Sequence, residues 1–132
     1  MKYITLRIRY SESNLVGVGG IVKSVNNDIL SQYYIEHKIL EAPKHLFYLP
    51  SVNCCFKRKP LINIGGFNTD FSFAGGEDTD LCLRLRKKGF YFFKEKRALV
   101  FHDFSNNFIK FCKMWIRYGK GTQLAIINSK KR

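Results

Sequence analysis

The sequence lacks the features by which several protein classes are identified. Its cysteines include no Cys-x-x-Cys spacing, and two of the four are adjacent, which does not let them face one metal ion together. No run approaches the ~18 to 20 apolar residues needed to cross a bilayer, and residues 1–10 have no apolar signal core. We therefore expect no cysteine-based zinc site, and reduced thiols, mostly buried, in a cytoplasmic chain that is soluble or peripheral at the membrane.

Acidic residues are also scarce. Only 10 Asp and Glu stand against 23 Lys and Arg, so the formal net charge is +13. Such a surface attracts anionic partners, among which nucleic acid, acidic lipid and phosphorylated substrates all qualify. The basic residues are scattered, however, and no nucleic-acid-binding motif accompanies them. Charge alone therefore selects no function, and nucleic acid is the least favoured of these partners.

Apolar residues are abundant enough for a packed core. They make up 45% of the chain and include 12 Phe and 7 Tyr, which is typical of a globular protein. A chain of 132 residues is the size of one domain and can bury roughly two thirds of its unfolded surface. Without an internal repeat or a low-complexity linker, residues 1–132 are predicted to form a single domain.

Apolar periodicity predicts a mixture of strands and helices, and hence an α/β fold. The strands are expected at 4–10, 15–22, 51–56, 90–93 and 99–101, and the helices at 77–88 and 106–118. Residues 28–40 are expected to form a helix or a winding surface segment. Glycines in the second strand indicate that two backbones approach closely there. Gly119 and Gly121 are expected to end the last helix, and Trp115 on that helix is expected to be a core residue.

The segment from Gly75 to Leu81 contains three carboxylates behind two glycines. On a helix, Glu77 and Asp80 share one face while Asp78 projects elsewhere, so one acid can react while another is paired. Acids in a first turn also stabilise a helix by about 0.3 to 1 kcal/mol each through its dipole. That role does not require Gly75 and Gly76, which we interpret as making room for a substrate.

Several motifs occur together in a familiar order. In chain order they are Asn53-Cys54-Cys55-Phe56-Lys57-Arg58, Ile64-Gly65-Gly66-Phe67, Phe71, Gly76-Glu77-Asp78-Thr79-Asp80-Leu81, Arg84, Gly89 and Ala98-Leu99-Val100-Phe101-His102. This pattern resembles the second half of a family 2 glycosyltransferase of the GT-A fold. The resemblance implies a partial GT-A-like mixed sheet with flanking helices, in which residues 1–103 form the acceptor-binding half and residues 104–132 a C-terminal helical segment.

The resemblance also implies the roles of individual residues. Asp78 would be the general base that takes a proton from an acceptor hydroxyl, and the sugar would be transferred from a nucleotide donor with inversion. Gly75, Gly76 and Glu77 would bind the acceptor saccharide or lipid-linked acceptor. Asp80 and Arg84 belong to the same expected binding set, where their pairing would brace the helix.

A divalent metal, Mg or Mn, is implied for the complete enzyme, with His102 as one ligand. Its main ligands would come from an Asp-x-Asp motif in the nucleotide-binding half, and no such motif precedes this region in the sequence. We therefore expect activity to need that half, from a partner chain or a homo-oligomer. The alternative hypothesis is a non-catalytic basic module that binds anionic lipid or nucleic acid.

Overall fold

A computed structural model describes residues 13–43 and 45–131. Its strands are β1 (Leu15–Ser24), β2 (Cys54–Phe56) and β3 (Tyr91–His102), and its α-helices are α1 (Ile29–Glu36), α2 (Arg58–Asn63), α3 (Glu77–Lys87) and α4 (Phe108–Lys131). A short 3₁₀ turn, Ser51–Asn53, precedes β2. The predicted α/β class is confirmed, and it is consistent with a partial GT-A-like domain. The strand predicted at 4–10 lies outside the described residues.

The three strands form one mixed sheet with β1 in the centre. β1 runs antiparallel to β2, with Gly17 opposite Phe56, and parallel to β3, with Val18 opposite Phe93. Six consecutive residues, 15–20, are buried in β1. A strand covered on both faces needs such a continuous apolar run, which is why the sequence shows no alternation there.

β3 is one long strand with an irregularity rather than the two short strands expected. Its register with β1 shifts between the pair Gly19 and Lys94 and the pair Ile21 and Leu99. The Asn53 side-chain amide spans this irregularity, donating to the carbonyls of Ile21 at 2.9 Å and Ala98 at 3.1 Å. A Cβ on Gly20 would overlap both the Ala98 carbonyl and the Asn53 amide. The expected close approach of backbones at this glycine-rich strand is confirmed.

α3 covers one face of the sheet. Its apolar side consists of Leu81, Cys82 and Leu85, all fully buried. They pack with Val16 of β1 and with Leu49 in the main core. The helix predicted at 77–88 is confirmed within one residue, and its burial fixes where the acidic first turn lies.

α4 continues for 24 residues through both glycines that were expected to end the helix before it. Gly121 is buried, and a Cβ there would overlap the Gly75 carbonyl oxygen. The prediction of a stop was wrong because this glycine serves helix packing rather than helix termination. Trp115 is 40% exposed, so its assignment to the core was also wrong. Within 13–43 and 45–131, every helix is too short or too polar to cross a membrane.

Candidate active site

A cleft of about 1410 Å³ lies where α3 begins, β3 ends and α4 crosses. Five of the predicted site residues line it: Gly75, Gly76, Glu77, Asp78 and His102. The other two, Asp80 and Arg84, are not part of its lining. Glu77 and Asp78 of the acidic turn therefore face the cleft, whereas Asp80 faces the protein interior.

The turn into α3 is shaped by its two glycines. Gly75 has φ 134° and Gly76 has φ 93°, conformations that side-chain-bearing residues rarely adopt. A Cβ on Gly76 would overlap the backbone of Gly121, and one on Gly75 would press on the Tyr118 ring at 3.0 Å. The glycines thus give room to α4, whereas the sequence suggested room for a substrate.

The Glu77 side chain stabilises this turn by a hydrogen bond to its backbone. Its Oε2 accepts a hydrogen bond from the Gly75 amide at 2.5 Å, and the Asp80 amide donates to the Gly76 carbonyl at 2.8 Å to begin the helix. A carboxylate at this end of a helix is also stabilised by the helix dipole. Glu77 therefore has a structural role in addition to its position on the cleft wall.

Asp78 is the acid best placed for proton transfer. Its Oδ2 accepts from the Ser51 amide at 3.2 Å and its Oδ1 from the Thr79 amide at 2.8 Å, which fixes the carboxylate at the cleft wall. Burial raises its pKa above the ordinary value of 3.8, and the neighbouring Glu77 charge raises it further against the lowering effect of the two amides. A carboxylate with a raised pKa is a stronger base than one in open water.

Two tyrosines and the tryptophan line the cleft near this acid. Burial raises the pKa of Tyr48, and the Asp78 charge adds to the increase. Burial also raises the pKa of Tyr118, whose ring is 6.4 Å from that of Trp115 in an edge-on arrangement. The sequence did not select Tyr118, and it favoured the core over sugar stacking for Trp115, although their spacing of three on a helix places both on one face.

Asp80 and Arg84 form an ion pair that is not part of the cleft lining. Arg84 Nε donates to Asp80 Oδ2 at 2.8 Å, while its two terminal nitrogens donate to the carbonyls of Ile64 at 2.9 Å and Gly66 at 2.7 Å. Asp80 is only 2% exposed. These contacts join α3 to the turn after α2, as the sequence suggested, and leave the carboxylate turned away from any acceptor in the cleft.

His102 stands at the end of β3 on the cleft wall. Its ring lies 4.6 Å from that of Phe104, and its Nδ1 is buried without a hydrogen-bond partner. Among the described residues, no three His, Cys, Asp or Glu side chains lie close enough to hold a metal ion. These residues therefore do not form a metal site by themselves, and His102 can offer one ligand nitrogen at most.

The thiols offer no competing nucleophile near the acid. All four are free; Cys82 is buried, Cys54 and Cys55 are partly buried, and Cys112 is exposed on α4. Burial raises the pKa of both Cys54 and Cys82 to about 12, so both remain protonated at neutral pH.

Comparison with known proteins gives one family. The description "Glycosyl transferase family group 2" applies to residues 14–131, which include every element of the fold and the whole cleft. No curated protein matches the sequence significantly. The acidic turn, the histidine after β3 and the crossing helix all fall inside the matched range. The chain belongs to glycosyl transferase family group 2.

Proposed function

We propose that the cleft binds the acceptor in an inverting glycosyl transfer and that Asp78 is the general base. The observation that carries this proposal is the Asp78 carboxylate, held at the cleft wall by the Ser51 amide, with its pKa raised by burial. Family membership supplies the reaction class, glycosyl transfer. The specific roles below are inferred from the position of each side chain.

In the proposed step, Asp78 removes the proton from an acceptor hydroxyl as that oxygen attacks the anomeric carbon of a nucleotide-activated sugar. The new bond joins the acceptor oxygen to the anomeric carbon. The bond from that carbon to the diphosphate breaks, and its electron pair leaves with the diphosphate. Attack from the opposite side inverts the configuration. General-base help of this kind contributes ~10² to 10⁴-fold in rate.

The cleft walls provide means of holding a saccharide acceptor. Trp115, Tyr118 and Tyr48 present aromatic surface and two hydroxyl groups. Aromatic faces pack against the apolar side of a sugar ring, and hydroxyls bond its polar edge. Glu77 lies at the same wall and, with Gly75 and Gly76, forms the floor of the proposed acceptor site. Asp80 and Arg84 act at a distance by keeping α3 in place.

The nucleotide sugar would bind to a second half of the enzyme. We propose that residues 1–103 act as the acceptor half and that the nucleotide-binding half is contributed by the same polypeptide, a partner chain or a second copy. A divalent ion remains an expectation for the complete enzyme, where it would neutralise charge on the departing diphosphate. The Asp78 step described above depends on no metal ligand of this chain.

The test is transfer from a panel of nucleotide sugars to saccharide acceptors by the protein completed with its nucleotide-binding half. Asp78→Asn is expected to lower kcat by ~10² to 10⁴-fold while nucleotide-sugar binding is retained. Asp70→Asn, the same change at an exposed acid, is the matched control and should leave turnover as in the wild type. Unchanged turnover in Asp78→Asn would show that this residue is not the base.

Acceptor binding is tested separately from turnover. Saturation-transfer NMR with a saccharide panel should detect binding to the wild type and to Asp78→Asn, and lose it in Trp115→Ala. Saccharide binding that is equally strong in Trp115→Ala would place the acceptor elsewhere. A protein that binds no saccharide but binds oligonucleotide or acidic vesicles, with a steep dependence on salt, would favour the alternative of a basic binding module.

A further inference from the structure

The outer face of α4 is an exposed apolar stripe. Six large apolar side chains on this helix are between 40% and 66% exposed: Phe108, Ile109, Trp115, Ile116, Ile126 and Ile127. At 3.6 residues per turn they fall on one side of the helix, opposite the buried Gly121 and Ala125. Isolated exposed apolar residues are ordinary, but two groups of them on the same side of one helix, at 108–116 and at 126–127, indicate a surface that binds something.

A row of positive charge borders this stripe. Three exposed lysines lie along one edge of the stripe, next to its isoleucines. The lysines are Lys113, Lys120 and Lys131, and the isoleucines are Ile109, Ile116 and Ile127. Lys110 and Arg117 lie one step further round the helix, and both are exposed. No acidic residue occurs after Asp103 in the sequence, so no carboxylate within α4 neutralises this charge. The face is therefore cationic along one edge and apolar near both ends of the helix.

We propose that the outer face of α4 lies flat on an anionic lipid bilayer. The apolar stripe would enter the boundary between headgroups and acyl chains, and the lysine row would meet the anionic headgroups. The helix is long enough to span a bilayer, but its charges prevent it from crossing, and no helix in the described part of the chain meets the criteria for crossing.

Charge favours a bilayer over the other occupants of this face. A second copy of the chain would bring one lysine row towards another on molecules that each carry a formal charge of +13. A nucleic acid would neutralise the lysines but leave the isoleucines and Phe108 in water. A bilayer with acidic headgroups satisfies both the apolar and the cationic parts of the surface at once.

The docking face adjoins the cleft. Trp115, Tyr118 and Thr122 line the cleft and also line a shallow hollow on the outer side of α4 with Ile126 and Ile127. A protein docked through α4 therefore presents its cleft mouth at the lipid surface. If the cleft holds the acceptor, which rests on the proposed function, an amphiphilic acceptor could enter from the bilayer without leaving it.

The single tryptophan of the chain makes the experiment direct, because Trp115 stands at the border of the stripe. Vesicles of phosphatidylcholine containing phosphatidylglycerol should shift its emission to the blue, and brominated acyl chains should quench it. Phosphatidylcholine alone should bind at least ~10-fold more weakly, and added salt should reduce binding to the acidic vesicles. Flotation of the full-length protein with the vesicles gives an independent measure.

Matched variants separate the stripe from general effects. Ile116→Glu should weaken binding to acidic vesicles by ~10-fold or more. Ile62→Glu is the control, since Ile62 on α2 is 60% exposed and Ile116 is 59% exposed. Lys113→Glu with Lys120→Glu should weaken binding more than Lys59→Glu with Lys88→Glu, which alters the net charge equally at other exposed positions. Circular dichroism verifies that each variant is folded.

Several results would overturn the proposal. The wild type could fail to bind acidic vesicles. Ile116→Glu and Ile62→Glu could bind the vesicles equally well. The two double lysine variants could also bind the vesicles equally well. Sedimentation velocity that shows a dimer dissociated by Ile116→Glu, with no vesicle binding, would identify a second copy as the occupant. Oligonucleotide binding that persists in Ile116→Glu while vesicles fail to bind would assign the lysines to nucleic acid. Asp78→Asn should bind vesicles normally, so that docking and catalysis are judged separately.

Discussion

The carboxylate of Asp78 accepts a hydrogen bond from the backbone amide of Ser51, a residue 27 positions earlier, at 3.2 Å. This bond joins the first turn of α3 to the 3₁₀ turn that leads into β2. Because the donor is a main-chain group, the orientation of the acid depends on the fold and not on the identity of residue 51. Burial and the Glu77 charge raise the pKa of Asp78, and the Ser51 bond partly opposes them.

The pH dependence of kcat/KM tests the electrostatic interaction between Asp78 and Glu77. Since burial and the Glu77 charge both raise the pKa of Asp78, activity should fall on acidification at a pH above 3.8. Glu77→Gln removes the like charge and lowers the pKa of Asp78, so the acidic limb of kcat/KM should move to lower pH. An acidic limb that stays in place in Glu77→Gln would mean that another group controls it.

Asp78 should reduce the stability of the fold at neutral pH. The pKa of its carboxyl is higher in the folded protein than the ordinary 3.8, so the folded state binds the proton more tightly. This contribution to stability is complete below pH 3.8 and is lost as pH rises through the folded pKa. Asp78→Asn should then raise the free energy of unfolding at pH 7 by up to about 1 kcal/mol.

Urea denaturation at two pH values measures this effect. The gain of Asp78→Asn over the wild type should be present at pH 7 and should shrink towards acidic pH, where the wild-type carboxyl is already protonated. Asp70→Asn, at an exposed position, should show no such gain. An equal loss of stability in Asp78→Asn at both pH values would indicate that its hydrogen bonds outweigh its charge.

The two glycines of α4 should respond oppositely to alanine. A Cβ at Gly121 would overlap the Gly75 carbonyl oxygen, whereas one at Gly119 meets open space. Gly121→Ala should therefore lower the free energy of unfolding by about 3 kcal/mol or more. Gly119→Ala should raise it by roughly 0.5 to 1 kcal/mol through helix propensity. Similar values for the two variants in chemical denaturation would contradict the close packing of α4 on the acidic turn.

We expect Arg84 to stabilise the fold mainly by neutralising the buried Asp80 carboxylate. Asp80 is buried and paired with Arg84 at 2.8 Å, so Arg84→Met leaves an unpaired buried charge and should cost about 3 to 5 kcal/mol. Adding Asp80→Asn removes that charge and should restore part of the loss. A double variant less stable than Arg84→Met would mean that the contacts with the Ile64 and Gly66 carbonyls dominate. Thermal unfolding of the wild type, Arg84→Met, Asp80→Asn and the double variant gives the double-mutant cycle for this pair.

Helix α3 could be predicted from the sequence because its signals are local. Acids at its first turn, bases at its last turn and three apolar residues on one side all agree, and the structure matches the prediction within one residue. β3 was divided in two because the run around Glu95 interrupts the apolar pattern. Glu95 is nevertheless buried and pairs with Arg97 at 2.9 Å, which allows the strand to continue.

The cleft could be predicted only in part. Asp78 and His102 were selected from motifs, and both line the cleft in the structure. Tyr48 was missed because its segment has no periodic pattern, and it reaches the cleft only through tertiary packing. Trp115 was assigned to the core from helical spacing, which does not show which side of a helix faces inwards when both sides are apolar.

The contact between Gly76 and Gly121 has a consequence for how this protein can change. A methyl group at position 76 or 121 would overlap the backbone of the other segment, and one at position 75 would press on the Tyr118 ring. A larger side chain at any of these positions would push α4 away from Asp78, so α4 and the turn into α3 can change only together. A deletion of α4 would leave the carboxylate in sequence but would remove the wall that shapes its surroundings.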